Sequence, residues 1–298
     1  MSQIIDAEFS TSFVPSPLKY TVLLPDDYGK VTEPMPVLFY LHGGNGNGHD
    51  FVAGTRGVFE TMWKDVRLPD MLVIAPSVQR SFYMDYRDGS QKWETVLTGP
   101  FLAHIRAQYR VVAERRGLYL LGISMGGMGG LRMAFKHPEL FAGVAAMEPG
   151  VEPVLAYRDI KLEDRFWRSD ELFGEIYGSP VDEDYWAVNN PATIAQKDPR
   201  RLIESSLGIY LEAGDEDSFG LDRGTEYLHR ILRDAGVLHE YHLVRGADHL
   251  GRTLQPRLRE ALEFINRIVN PPPPDPVVAA LRQQIAAWKE QANRLYRR

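Results

Sequence analysis

Short apolar runs alternate with longer amphipathic stretches along most of this chain. "PVLFYLHGG" (36–44), "MLVIAPS" (71–77), "GLYLLGIS" (117–124) and "FAGVAAMEP" (141–149) are nearly unbroken in their apolarity. Continuous rather than alternating apolarity marks strands covered on both faces, as in a parallel sheet. "LKYTVLLP" (18–25), rich in β-formers and closed by a proline, adds a strand, and 207–217 and 239–249 complete the set. Helical spacing of apolar positions recurs over 92–110, around an internal Gly-Pro, and over 125–137, 220–236 and 253–269. This alternation predicts an α/β fold: a mainly parallel central sheet with helices on both faces. Ligands of such sheets bind at the carboxyl ends of the strands.

Two segments break the pattern. Residues 150–205 are rich in charge, Trp, Tyr and Pro and predict a helical insertion, either a cap over a site or a surface elaboration. "PPPPDP" (271–276) is a stiff linker that separates a domain over 1–270 from a helix over 277–298. In that helix Val278, Leu281, Ile285, Trp288, Ala292 and Leu295 recur at alternating three- and four-residue steps and form one apolar seam. Such a seam predicts docking, on the chain's own domain or on a second copy in a homo-oligomer. There are no internal repeats.

Composition narrows the function classes. Of 298 residues, 44% are hydrophobic and 25% charged, the balance of a globular protein, and the net charge of −6 offers nothing to nucleic acid or an anionic membrane. With no cysteine, disulfides, thiolate metal ligands and a cysteine nucleophile are excluded. The first twenty residues carry no basic, apolar and small-residue succession of a secretory signal, which predicts a cytoplasmic protein.

The chemistry gathers around "GISMGG" (122–127). Gly122-Ile-Ser-Met-Gly126 matches G-x-S-x-G, a tight strand-to-helix turn with Ser124 at its apex. Gly122 and Gly126 leave room for the turn, and the following helix aims its N-terminus at a developing anion. Ser124 needs a base, and His249 in "RGADHLGRT" lies in a loop after the last strand, behind the serine in chain order. His42, His104, His137, His229, His239 and His242 fall in helices, strands or the early glycine turn. The base needs an orienting acid, and "LEAGDEDSF" (211–219) offers Asp215, Glu216 and Asp217. Asp217 lies three positions beyond Gly214, where the loop can turn it toward His249. Asp215 is the second choice, and the same cluster is suited to capping the next helix. Backbone N–H groups of Met125 and of Gly44 in "HGGNGNG" (42–48), with Asn45 beside it, predict an oxyanion hole. No Lys-Ser/Thr follows those glycines, so they are not a P-loop, and His42, His49 and Asp85 lack metal-ligand spacing. Trp93, Trp167, Tyr185, Trp186 and Phe219 either line a pocket or fill the core.

From about residue 18 to 270 the chain resembles the esterase D-like branch of the α/β-hydrolases. That branch includes S-formylglutathione hydrolases, feruloyl, acetyl-xylan and enterochelin esterases, and mycolyltransferases. The resemblance rests on "PVLFYLHGG", "SFYMDYRDGSQKWETVL", "GISMGGMGGLRMAFKHPELF", "GDEDSF" and "GADHLGRT". It implies an α/β-hydrolase fold and a serine esterase with Ser124 as nucleophile, Asp217 as acid, His249 as base, and Met125 and Gly44 as oxyanion donors. It implies a small-molecule ester substrate, an acyl-enzyme route with neither metal nor organic cofactor, and, as the alternative, acyl transfer to a sugar or other alcohol. Glu148 stands where the branch more often has a small serine. A carboxylate beside the site would repel acidic acyl groups or take up cationic or hydroxylated ones.

Overall fold

The structure, a computed structural model, describes residues 2–164 and 168–296. Eight strands form one sheet: β1 (Gln3–Phe9), β2 (Leu18–Leu24), β3 (Val37–Leu41), β4 (Leu72–Pro76), β5 (Leu118–Ile123), β6 (Gly143–Met147), β7 (Gly208–Gly214) and β8 (Glu240–Val244). Their spatial order is β1-β2-β4-β3-β5-β6-β7-β8, antiparallel from β1 to β4 and parallel from β4 through β8. Alternate residues of each central strand face two separate cores. Val37, Phe39 and Leu41 of β3 join one, and Leu38 and Tyr40 join the other. Burial on both faces is the physical cause of the unbroken apolar runs.

The helices are α1 (Gly48–Lys64), α2 (Trp93–Thr98), α3 (Pro100–Gln108), α4 (Met125–Lys136), α5 (Asp170–Tyr177), α6 (Glu183–Ala187), α7 (Pro191–Lys197), α8 (Pro199–Ser205), α9 (Leu221–Asp234), α10 (Leu254–Val269) and α11 (Pro276–Tyr296). Helices α1 and α10 cover one face of the sheet; α2, α3, α4, α7 and α9 cover the other. The predicted helix over 92–110 is two helices, because Gly99 leaves helical geometry and Pro100 starts a new one. Two elements were not foreseen. Strand β1 exposes most of its length at the sheet edge, so its sequence lacks a buried strand's apolarity. In α1 the exposed Gly54 and Gly57 interrupt a pattern whose buried positions are Val52, Thr55, Val58, Phe59 and Met62.

The segment over 150–205 supplies α5 to α8 between β6 and β7, with α7 packed on α4 and α9. Helix α11 behaves differently from its docking expectation within the domain. Its seam residues stay solvent-accessible, Trp288 at 57%, and no residue of α11 is buried. The proline run that precedes it has no N–H donors to continue α10 and carries the chain off the body.

Below the site end of α4 lies a buried charge network. Arg132 is fully buried and donates to Glu94 at 3.0 Å and to the carbonyls of Phe82 at 2.9 Å and Tyr83 at 2.6 Å. Phe82 and Tyr83 both hold positive φ, 54° and 60°, which bulky residues adopt only when their surroundings impose it. Glu94 also meets Lys136 at 2.8 Å and His137 at 3.0 Å. Burial by itself would raise the Glu94 carboxyl, but His137, Arg132 and Lys136 outweigh it and hold the group well below the ordinary carboxylate range. The folded value is below the unfolded one, so this stabilisation is present at neutral pH and is lost as pH falls through the carboxylate range.

Two outcomes follow from this packing. Arg132→Met leaves Glu94 and two carbonyls short of a buried partner and is expected to cost about 3–5 kcal/mol, read as a lower urea midpoint. A loss below about 1 kcal/mol would show that Lys136 and His137 suffice. Truncation after Asn270 removes a helix that buries nothing on the domain, so the denaturation midpoint of the shortened chain is expected to match that of the full chain.

Candidate active site

Six parallel strands end on one side of the sheet, and the site is built from the turns and loops that follow them. Ser124 follows β5 and opens α4 with φ 58° and ψ −118°. That conformation is costly for a residue with a Cβ, on the order of 1–3 kcal/mol, and persists only where neighbours over-determine it. Here its N–H donates to the Met147 carbonyl at 2.8 Å, and its own carbonyl accepts from Met128 at 3.0 Å and Gly150 at 3.2 Å. Gly122 and Gly126 allow the turn sterically. A Cβ on Gly122 would sit 2.3 Å from the Gly126 carbonyl oxygen, and one on Gly126 would sit 2.1 Å from that of Leu41.

Asp217 lies in the loop after β7 and His249 in the loop after β8. His249 Nδ1 and Asp217 Oδ2 are 2.7 Å apart. An ionised carboxylate only accepts, so Nδ1 carries the proton and the Nε2 lone pair is left for another partner. Asp217 Oδ1 also accepts from the backbone of Phe219 at 2.6 Å and Leu221 at 3.4 Å. Burial would raise the Asp217 carboxyl, but the hydrogen bonds from His249 and Glu148 prevail and bring it below its ordinary value. Asp215, the second choice from sequence, faces away: it accepts from the Gly246 N–H at 2.6 Å and meets Arg245 at 3.1 Å, tying the two loops together. The Phe219 ring meets the His249 ring edge-on at 4.6 Å.

The loop after β3 sits across from the serine. A Cβ built on Gly43 lies 3.6 Å from the Ser124 Cβ. His42 holds this turn; from sequence it was placed there and set aside as a base and as a metal ligand. Its Nε2 accepts from the Val78 N–H at 3.2 Å, so Nδ1 donates to the Gly43 carbonyl at 2.8 Å, and Tyr83 donates to the His42 carbonyl at 3.0 Å. Burial lowers the His42 pKa and keeps the ring neutral for this role. Met125 begins α4, where the first-turn N–H groups have no intrahelical partner and the helix dipole favours negative charge.

Ser124, Met125, Gly43, Gly44, Asn45, Gly46 and His249 line one cavity of about 420 Å³. Its other walls are Phe51, Phe82, Ile123, Phe219, Leu221, Leu250 and Leu254, with Arg80 as the charged residue among them. No described residue of 150–205 lines this cavity. Among the aromatics named from sequence, Phe219 is in its wall, Trp93, Trp186 and Tyr185 pack with the core, and Trp167 lies outside the described residues.

Glu148 corrects the sequence expectation of a pocket carboxylate. It follows β6 with φ 44°, is fully buried and does not line the cavity. Its Oε1 accepts from the Gly214 N–H at 2.9 Å and from Arg257, which also donates to Glu212 at 2.7 Å. Arg257 further donates to the carbonyls of Asp248 at 2.7 Å and His249 at 3.3 Å, bracing the His249 loop. Asp248 accepts from Ser218 and from the His249 N–H. Glu212 and Asp248 lie inside the segments quoted around Asp217 and His249 without being singled out, and Arg257 lies in no motif. Among the described residues, Glu148, Asp217 and His249 also form a group with metal-ligand proximity, one donor atom of each within 4.8 Å of the others. His249 and Asp217 are already hydrogen-bonded to each other, the arrangement of an acid–base pair.

The chain is similar to known proteins in sequence and in fold. Esterase Rv1288 of Mycobacterium tuberculosis (strain ATCC 25618 / H37Rv) is 30% identical over 262 residues, 80% of this chain and 54% of that protein. The chain thus spans about half the length of that curated relative. The structure of a ferulic acid esterase superposes with a TM-score of 0.73 at 24% identity, covering 90% of this chain and 99% of that one. FphF, a fluorophosphonate-binding serine hydrolase of Staphylococcus aureus, gives a TM-score of 0.73 at 18% identity with the same coverage. At these identities both are likenesses of fold, and the fold is that of the α/β-hydrolases. The profile of the Esterase family, described as "Putative esterase", matches residues 10–264, most of the chain. This chain is a member of the Esterase family.

Proposed function

We propose that the chain is a serine esterase that cleaves carboxylic esters of small molecules through an acyl-enzyme. The observation that carries this is the meeting of a strained serine with a hydrogen-bonded His-Asp pair around one apolar cavity. Ser124 attacks the ester carbonyl while His249 Nε2 takes its proton. Asp217 holds the imidazole in the tautomer that leaves Nε2 basic and stabilises the imidazolium that forms. The N–H of Met125 and one from the Gly43–Asn45 turn receive the oxyanion, with the α4 dipole behind them. His249 then protonates the leaving alcohol and activates water to release the acid. Phe51, Phe219, Leu221, Leu250 and Leu254 make the cavity suited to an aliphatic or aromatic part of the ester, and its volume falls in the small-molecule range.

Hydrolysis of p-nitrophenyl esters of increasing acyl length tests this directly. Ser124→Ala is expected to lower kcat/KM by about 10³-fold or more, with the fold kept by circular dichroism. A fluorophosphonate is expected to label Ser124, located by peptide mass spectrometry. Intact turnover or continued labelling in Ser124→Ala would remove the serine from its role. Asp217→Asn is expected to cost about 10²–10⁴-fold, and Asp215→Asn less than about tenfold. The reverse order would move the acid to Asp215. Faster p-nitrophenol release with added alcohol, together with a new ester product, would shift the assignment to acyl transfer.

A further inference from the structure

Asp217 has a second carboxyl group against it. A carboxylate oxygen of Glu148 lies within 4.8 Å of one of Asp217, and both side chains are shielded from solvent. Two carboxylates in such contact share a proton, because burial strengthens their repulsion. The donors decide which one keeps it. Asp217 accepts from the His249 N–H and from two backbone N–H groups. Glu148 has the Gly214 N–H and only a share of Arg257, whose same nitrogen also serves Glu212. More donors favour the charged form, so Asp217 is the anion and Glu148 the acid. Both Glu148 donors fall on Oε1, and Oε2 has none among the described residues, which leaves Oε2 to carry the proton.

We propose that Glu148 is a positioning residue of the triad: a neutral carboxylic acid that donates to Asp217 from within the protein, opposite the cavity, and is held there by Arg257 and Gly214. This rests on the serine esterase assignment above. The groups facing Glu148 are Glu212 on β7, Asp217 and His249 on their loops, and Arg257 on α10, with Glu260 and His242 acting on Glu212. Around a neutral Glu148, Arg257 balances Glu212, and Asp217 is the remaining charge, which the imidazolium cancels as it forms. Burial, then the Asp217 contact and the Glu212 charge, push the Glu148 carboxyl up to about 9. Above that value Glu148 becomes a second anion against Asp217, the pair separates, and turnover falls.

The decisive variant is Glu148→Gln, which keeps an acceptor for Arg257 and Gly214 and an N–H donor for Asp217 but cannot ionise. It is expected to stay within about threefold of the wild-type kcat/KM at neutral pH and to lose the alkaline fall near pH 9. Glu148→Ala, which has no donor, is expected to lower kcat by about tenfold or more with KM little changed. An infrared titration reads the proton itself, with no substrate. Wild type is expected to show a buried protonated-carboxyl band at neutral pH that disappears on raising the pH, persists in Glu212→Gln and is missing from Glu148→Gln. A Glu148→Gln enzyme that keeps the alkaline fall, or is as inactive as Ser124→Ala, overturns the proposal, and so does absence of the band in wild type. Inactive wild type with the band present would sink the esterase assignment and leave the Glu148 protonation standing.

Discussion

The approach of helix α4 to the sheet is the constraint on which this site depends. At Gly122 and Gly126 the backbone of the turn lies so close to its neighbours that a single Cβ on either would overlap a carbonyl oxygen. That closeness forces Ser124 into positive φ, and the strand and helix hydrogen bonds around it keep it there. The strain lifts the serine clear of the sheet end, with an unpartnered helix N-terminus at its back. A packing restriction thereby becomes a chemical arrangement: a half-buried hydroxyl on the cavity wall beside N–H groups that favour a developing anion.

Two buried arginines extend the same logic to the loops. Arg132 pins the carbonyls of Phe82 and Tyr83, whose positive φ places Phe82 in the cavity wall and the Tyr83 hydroxyl on the turn that bears Gly43. Arg257 pins the carbonyls around His249 and reaches Glu148 and Glu212 behind Asp217. Each guanidinium joins segments far apart in sequence, and its planar fork of donors suits that task better than the single ammonium of a lysine. A buried ion pair is weak evidence of net stability, but removing one partner leaves an uncompensated charge, which ties these loops to their positions.

The order of strands and helices, the double-sided burial of the sheet and the elbow at Ser124 were legible in the chain, because each has a local cause. A strand covered on both faces must be continuously apolar, and a turn this tight must have glycine on both sides of its serine. The edge strand β1 and the helix α1 were not legible, since one is mostly exposed and the other is interrupted by Gly54 and Gly57. Glu148 shows the limit more sharply. Its position after β6 marked it as close to the site, but not which way its carboxyl faced.

Sequence alone determined which residue types stand at the carboxyl ends of β3, β5, β6, β7 and β8, since chain order and strand pattern fix those positions. Only the tertiary structure decided that Asp217 rather than Asp215 meets His249, that Glu148 lies behind Asp217 instead of in the pocket, and that the seam of α11 stays uncovered by its own domain. The physical reason is range. Secondary structure follows from apolar periodicity over a few residues, whereas the partner of a buried charge is chosen by hydrogen bonds from elements a hundred residues away, as Arg257 is for Glu148.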